Sequence, residues 1–199
     1  MSQAKLLTTE TIHPLEPLTE NEIRNVVSVV KSDKRIPAIV RFASVTLKEP
    51  TKNRVLQYSE DAPAEIAREA VAILLDRDSG DCVEATIDLG SRKVINWHIQ
   101  HNVQPPIMLD EFVECEETVK SSPLFIEALE KRGIKDLDLV MVDPWSAGSY
   151  GIEPESDKGR RLSRALSWLR ASKNDNGYAR PIEGLVAVVD LNKMEIVIM

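Results

Sequence analysis

Hydrophobic residues near the start of the chain recur at the spacing of a helix. One face of the segment 20–31 carries four apolar residues, Ile23, Val26, Val27 and Val30. Just before that face, Thr19 and Glu22 have the spacing of a capping box, in which each side chain accepts a hydrogen bond from the other residue's backbone N–H. The pattern predicts a helix over residues 20–31 with a single apolar stripe.

A different pattern follows this helix, with β-branched and aromatic residues in short runs separated by turns. Residues 39–47, 55–58, 83–89 and 94–97 are each interpreted as strands, and a tight turn separates the last two. The segment 64–75 is open between helix and strand, because its composition favours a helix whereas its last apolar residues alternate. The first half of the chain is therefore predicted to be one helix followed by a set of strands.

The order of elements repeats in the second half of the chain. Asp110 is interpreted as the N-cap of a helix whose apolar face carries Phe112, Cys115 and Val119. A further helical segment is predicted over residues 122–133, where a serine and a proline open it and a glycine closes it. Two long helical segments thus precede the strands of this half.

Strands are predicted to close the second half as they close the first. Residues 137–142, 185–191 and 195–198 have the composition and alternation of strands. Residues 161–170 are again open between helix and strand. This parallel with the first half is what suggests a repeat.

The two halves are interpreted as copies of one duplicated unit. Ala85 to Leu89 resembles Ala187 to Leu191, and the second copy has extra residues near 174–180. Because a helix with one apolar stripe buries it well against a sheet face, each half is expected to be α+β, with an antiparallel sheet packed on an α-helix. Prolines interrupt the periodicity between the halves, so the domains are placed at residues 1–101 and 102–199.

Composition and charge narrow the class of protein. Hydrophobic residues make up 43% of the chain and charged residues 29%, which is typical of a globular protein. The net charge of -7 makes nucleic acid and anionic membranes unfavourable partners, because both are negatively charged. Residues 1–10 lack a signal-peptide core, and no run approaches the roughly 20 apolar residues that span a bilayer, so the expected location is the cytoplasm.

Cysteine and histidine residues give little sign of chemistry. Cys82 and Cys115 lie far apart and are expected to be buried, reduced thiols rather than a disulfide. His98 and His101 are spaced like a pair of metal ligands but have no further ligands beside them, so a surface or interface position is favoured over a metal site. Because nucleophile and phosphate-loop motifs are also missing, no catalytic residue, metal ligand or cofactor site is predicted in this chain.

Two groups of charged residues are interpreted as structural features rather than as chemical sites. The acidic group on the predicted second-half helix is interpreted as a solvated face, comprising Asp110, Glu111, Glu114, Glu116 and Glu117. Arg160, Arg161 and Arg164 are expected at outward strand positions or in interface salt bridges rather than at an anion site.

The most distinctive segment runs from Val140 to Gly148, where an apolar strand ends in Asp143-Pro144-Trp145. Proline cannot donate to a strand ladder, so Trp145 is predicted on a loop after the strand. Taken by itself, Trp145 is interpreted as a core residue. Tyr178 lies in the extra segment of the second copy, and insertions on a repeated scaffold are common sites of function.

Five separate runs carry a resemblance to a known family. They are HPLEPLT from His13, VTLKEP from Val45, QPP from Gln104, VDPWSAG from Val142 and PIEGL from Pro181. In this order the runs resemble the two small amino-terminal domains of copper-containing primary amine oxidases, and the likeness covers nearly the whole chain.

The resemblance implies a function for the complete protein. It implies a homodimer that oxidises primary amines to aldehydes and releases ammonia and hydrogen peroxide. It also implies copper and topaquinone as cofactors, both held in a carboxy-terminal catalytic domain outside these 199 residues. This chain would then be a non-catalytic amino-terminal part, with that catalytic domain and the primary amine as its partners.

The resemblance further implies where the amine passes. By position in the motifs, the second domain would help to line the substrate channel with five residues, Phe112, Asp143, Pro144, Trp145 and Tyr178. The resemblance also implies that both open segments are strands and that each half has a cystatin-like fold.

Two other classes of function are weighed against the oxidase. A free-standing binding or adaptor module with cystatin-like domains is the main alternative, and its gene would stop after Met199. A small independent hydrolase would need an Asp-His pair in a pocket, and the sequence does not point to one.

Overall fold

A computed structural model of the chain describes residues 13–59, 66–148 and 160–199. The expectation about residues 1–10, and the first two residues of the open segment 64–75, lie outside the described residues. The chain divides into two compact units by its internal contacts. Of the described residues, the first unit contains 13–59, 66–74 and 83–100, and the second contains 75–82, 101–148 and 160–199.

The first half of the chain contains two helices and a four-stranded sheet. The elements are α1 (Glu20–Ser32), β1 (Val40–Lys48), α2 (Lys52–Leu56), β2 (Glu69–Asp76), β3 (Cys82–Asp88) and β4 (Lys93–Gln100). The strands lie in the sheet in chain order, β1-β2-β3-β4. Each strand is therefore bonded to the one that follows it along the chain.

Helix α1 begins where its capping box predicts. Glu22 N–H donates to Thr19 Oγ1 over 3.3 Å, and Thr19 N–H donates to Glu22 Oε2 over 2.7 Å. From this start the helix turns Val26 and Val30 inward, where they pack against alternate residues of β2 and β3 in one hydrophobic core. The predicted amphipathic helix is confirmed.

The structure decides the secondary structure of two segments in the first half, residues 55–58 and the described part of the open segment 64–75. The strand interpretation of residues 55–58 is wrong, because residues 52–56 form the short helix α2. Its backbone hydrogen bonds are local, because the N–H groups of Arg54 and Val55 both donate to Thr51 O. These backbone groups are therefore satisfied without a partner strand. The open segment resolves as strand β2, whose buried and partly buried residues alternate.

The second unit contains two helices followed by a four-stranded antiparallel sheet. The elements are α3 (Leu109–Lys120), α4 (Pro123–Glu130), β5 (Val140–Ser146), β6 (Leu162–Leu169), β7 (Pro181–Asp190) and β8 (Glu195–Ile198), with a short 3₁₀ turn at Leu137–Leu139. The strands again follow chain order, so β5 and β8 are the edges of the sheet. The second open segment is strand β6.

One core joins these helices to one face of the second sheet. Cys115 and Val119 of α3 and Phe125 and Leu129 of α4 are buried in it. The sheet contributes alternate residues of three strands, Val140, Val142, Ala165, Leu185, Ala187 and Val189. With a helix-covered antiparallel sheet in each half, the predicted α+β fold class is confirmed.

The start of α3 differs from the sequence prediction. Met108, rather than Asp110, is the N-cap residue. Met108 N–H donates to Glu111 Oε2 over 2.7 Å, which satisfies a backbone group before the first helical turn. Asp110 lies inside that turn, where a negative charge favours the positive end of the helix dipole.

Both cysteines are buried and free, as predicted. Burial disfavours the thiolate and raises the pKa of Cys115 to about 11. The Cys115 thiol is therefore held in its protonated, unreactive form at neutral pH. Within the described part of the chain, no helix has the length and apolar character needed to cross a membrane.

Candidate functional site

Side chains on strand β5 alternate between the two faces of the second sheet. Val140 and Val142 face the helices and lie in the core, and the alternation puts buried Pro144 on that same face. Met141, Asp143 and Trp145 point to the opposite face. The predicted trio Asp143-Pro144-Trp145 is therefore divided, with Pro144 directed to the core and its neighbours away from it.

The structure contradicts both expectations for Trp145, that it lies on a loop and that it is a core residue. It lies within β5, paired with Arg164 of β6, and not on a loop. Its side chain is 55% exposed, so it is not a core residue. A proline is accommodated in this strand because β5 is an edge strand and bonds to a neighbour on one side only.

Three aromatic side chains gather around one carboxylate on this face of the sheet. Asp143 Oδ2 accepts hydrogen bonds from Trp145 Nε1 and from the Tyr178 hydroxyl, each over 3.0 Å. The ring of Trp168 lies 6.5 Å from the Trp145 ring and 5.1 Å from the Tyr178 ring, centroid to centroid. We refer to Asp143, Trp145, Trp168 and Tyr178 as the Asp143 cluster.

The strand register explains why the cluster forms. Met141 pairs with Trp168 and Trp145 pairs with Arg164, so Trp168 projects on the same face as Asp143 and Trp145. Trp168 is 9% exposed, whereas Tyr178 is 56% exposed. Trp168 is therefore the buried base of the cluster and the other two rings are its accessible surface.

Tyr178 reaches the cluster from the extra segment between β6 and β7. Its N–H donates to Asn176 Oδ1 over 3.0 Å, an Asx-type contact that tightens the turn. A Cβ at Gly177 would lie 2.6 Å from Met141 Sδ, so a larger residue there would require the flexible Met141 side chain to move. The hydrogen bond to Asp143 favours the protonated phenol and raises the pKa of Tyr178.

Phe112 stands apart from the other residues predicted for the channel. It lies on α3, which packs through Cys115 and Val119 against the face of the sheet opposite to the Asp143 cluster. The structure thus brings Asp143, Trp145 and Tyr178 together. Trp168, which sequence reasoning missed, could have been found only by pairing the two strands.

A buried ion pair corrects two expectations about charge. Glu111 was expected on a solvated face and Arg161 at an outward position or interface, yet they are 1% and 3% exposed. Arg161 Nε and a terminal nitrogen donate to the two oxygens of Glu111, each over 2.7 Å. Arg161 also donates to the carbonyl oxygens of Pro105 and Pro106, each over 2.8 Å, and so ties the segment before α3 to the sheet.

Within the described residues, no group of three or more His, Cys, Asp or Glu side chains is placed so that it could hold a metal ion. His101 is exposed and its Nδ1 lies 2.9 Å from Asp81 Oδ1. The described residues therefore do not fit a copper centre, and no step of copper chemistry is assigned to them.

Two family models match this chain in order. Residues 13–100 match the model described as copper amine oxidase, N2 domain, and residues 110–199 match the one described as copper amine oxidase, N3 domain. The fold defines a pair of repeated α+β domains of the kind these models describe. The chain belongs to the copper amine oxidase family, in which it covers the amino-terminal domains N2 and N3.

Similar proteins have names from the same family. A primary amine oxidase of Arthrobacter sp. (strain P1) is 42% identical over 186 residues, which cover 93% of this chain and 28% of that protein. N-methylputrescine oxidase 1, peroxisomal, of Nicotiana tabacum is 34% identical over 224 residues, covering 94% of this chain and 28% of that protein. The chain thus spans little more than a quarter of the length of these relatives.

A solved structure has the same fold. The chain is similar to a copper-containing benzylamine oxidase from Hansenula polymorpha with a TM-score of 0.79 and 21% sequence identity. The likeness covers 94% of this chain and 30% of that one.

Proposed function

We propose that this chain forms the N2 and N3 portion of a copper- and topaquinone-dependent primary amine oxidase. The complete enzyme would oxidise a primary amine to an aldehyde, with release of ammonia and hydrogen peroxide. The observation that carries the proposal is the match to two consecutive domain models of that family, together with the 28% coverage of relatives named as amine oxidases. Copper, topaquinone and the catalytic residues would then belong to another domain of the same polypeptide, acting as a homodimer.

The gene provides the first test of this proposal. We expect its reading frame to continue past the codon for Met199 into a catalytic domain with histidine ligands and a quinone-forming tyrosine. A stop codon directly after that position would instead favour the free-standing binding or adaptor module. The cytoplasmic location stays a prediction, and two relatives from Nicotiana tabacum have names that include the word peroxisomal.

We further propose that the Asp143 cluster helps to line the path of the amine. Trp145 and Tyr178 are both more than half exposed, and each is held by a hydrogen bond to Asp143. An aromatic surface favours ligands with an apolar part, because contact removes apolar area from water. Phe112 and Pro144 were predicted for the same channel, and their role there stays a prediction.

Removal of the Trp145 ring tests the channel proposal in the complete enzyme. We expect Trp145→Ala to lower kcat/KM for an apolar amine such as benzylamine relative to methylamine by about tenfold, equivalent to ~1.4 kcal/mol of transition-state selectivity, because the apolar contact with the ring is lost. Copper content should stay the same. The matched control is Leu124→Ala, which removes an exposed apolar side chain from α4 of the same unit. An unchanged ratio of the two kcat/KM values for Trp145→Ala would argue against the channel role.

A further inference from the structure

We propose that Asp143 is a positioning residue that holds Trp145 and Tyr178 as one unit and so sets the amine selectivity of the path they line. This inference rests on the proposed function, because the selectivity concerned is that of the amine oxidase. It goes further because one carboxylate would fix the orientation of both rings. It also adds Trp168 as the surface against which both rings are held.

A single oxygen atom connects the two exposed rings. Trp145 Nε1 and the Tyr178 hydroxyl both donate to Asp143 Oδ2, each over 3.0 Å. Bonds to an ionised acceptor are stronger than bonds between neutral groups. Without such a bond, an exposed tryptophan or tyrosine samples several rotamers on the nanosecond timescale. The shared carboxylate therefore restricts both rings at once.

Contacts below and beside the rings restrict them further. Trp168, nearly buried, meets Tyr178 edge to face with an interplanar angle of 73° and lies beside Trp145 in a tilted arrangement. Gly177 holds the backbone before Tyr178 close to Met141, which pairs with Trp168 across the strands. Asp143 is thus the polar restraint in a cluster whose other restraints are steric.

The arrangement predicts that the two hydrogen bonds are coupled through their acceptor. Tyr178→Phe removes one donor and keeps the ring, whereas Asp143→Ala removes the acceptor for both donors. Once the acceptor is gone, the Tyr178 hydroxyl has lost the partner that positions it. The effects of the two substitutions on selectivity should therefore not add.

The first experiment measures the contact itself on the 199-residue chain. Asp143→Asn keeps the shape of the side chain and removes its charge, so the pKa of Tyr178 should fall toward its ordinary value and the Trp145 indole N–H resonance should move. Asp138→Asn is the matched control, since Asp138 is an exposed carboxylate of the same unit that pairs with Lys173. An unchanged Tyr178 pKa in Asp143→Asn would overturn the proposal.

The second experiment measures amine selectivity in the complete enzyme. We expect Asp143→Ala to change the benzylamine to methylamine ratio of kcat/KM about threefold to tenfold, with Tyr178→Phe smaller and in the same direction, and the double variant equal to Asp143→Ala. An unchanged ratio in Asp143→Ala overturns the positioning role but leaves the channel proposal intact if Trp145→Ala still changes it. If Trp145→Ala also leaves this ratio unchanged, the result contradicts the channel proposal itself.

Discussion

Arg161 uses all five of its N–H donors inside the protein. Two go to the Glu111 carboxylate, two to the carbonyl oxygens of Pro105 and Pro106, and one to the side-chain oxygen of Gln104. Burial of two charges is costly unless each is paired and fully hydrogen-bonded. The ion pair meets this condition, and removal of one partner would leave an uncompensated charge.

Glu111→Gln should therefore lower the free energy of unfolding by about 3 kcal/mol, measured by urea denaturation. The double variant Glu111→Leu with Arg161→Met should be more stable than Glu111→Gln, because it leaves no unpaired charge in the core. Glu127→Gln is the matched control, since Glu127 forms an exposed i,i+4 pair with Lys131 on α4, and it should change nothing measurable. Equal stability of Glu111→Gln and the control would contradict the argument.

One ion pair links the start of helix α1 to the residue just before strand β2. Arg68 Nε donates to Glu22 Oε1 over 2.5 Å, while another nitrogen of Arg68 donates to the carbonyl oxygens of Glu16 and Pro17. Glu22 also completes the capping box with Thr19. Arg68 is the main cause that lowers the pKa of Glu22 from 4.5 to about 2.

This pKa shift predicts how acid affects the first unit. Because the pKa of Glu22 is lower in the folded state, its contribution to stability is complete above about pH 4.5 and is lost as the pH falls toward 2. Arg68→Gln should raise the Glu22 pKa and flatten the loss of stability in this window. NMR titration of the carboxyl group and urea midpoints from pH 2 to 6 would measure both effects.

A control on the same helix separates this contact from general charge effects. Arg24→Gln removes the same charge from an exposed pair with Glu20. It should leave the Glu22 pKa and the acid dependence as they are in the parent chain. The account is wrong if the two substitutions flatten the acid dependence equally.

Each of the two sheets forms a hydrophobic core with its own helix or helices. Val30 of α1 is fully buried against β2 and β3, and Leu129 of α4 is buried against the second sheet. The two cores consist of different residues. Each core is thus formed within one repeat of the helix-and-sheet order.

Substitutions in the two cores should consequently act in different sheets. Leu129→Ala should cost about 3 kcal/mol, and Val30→Ala about 2 kcal/mol, because each leaves a cavity in close-packed surroundings. Hydrogen exchange should show lost amide protection mainly in β5 to β8 for Leu129→Ala and in β1 to β4 for Val30→Ala. Leu124→Ala, exposed on α4, is the control. Equal loss in both sheets for either core variant would contradict this prediction.

Local sequence patterns were enough to predict the repeated order of elements, the fold class and most elements. Periodicity and capping are local properties, so α1 was placed within a residue of its observed end, and β8 was placed at residues 195–198 as observed. The family resemblance, carried by five local runs, also needed no coordinates. Local signals failed where a short apolar run had no partner strand, as at Val55 in α2, and where a backbone bond moved the start of α3 from Asp110 to Met108.

Contacts between residues that are distant in sequence became visible only in the folded structure. Glu111 and Arg161 are separated by 50 positions, and Asp143 and Tyr178 by 35, so no spacing rule relates them. Whether Trp145 faces the core or solvent depends on its register in β5, because neighbouring positions of a strand face opposite sides. Burial and pairing of side chains are thus set by packing between elements. The sequence of any single segment does not specify that packing.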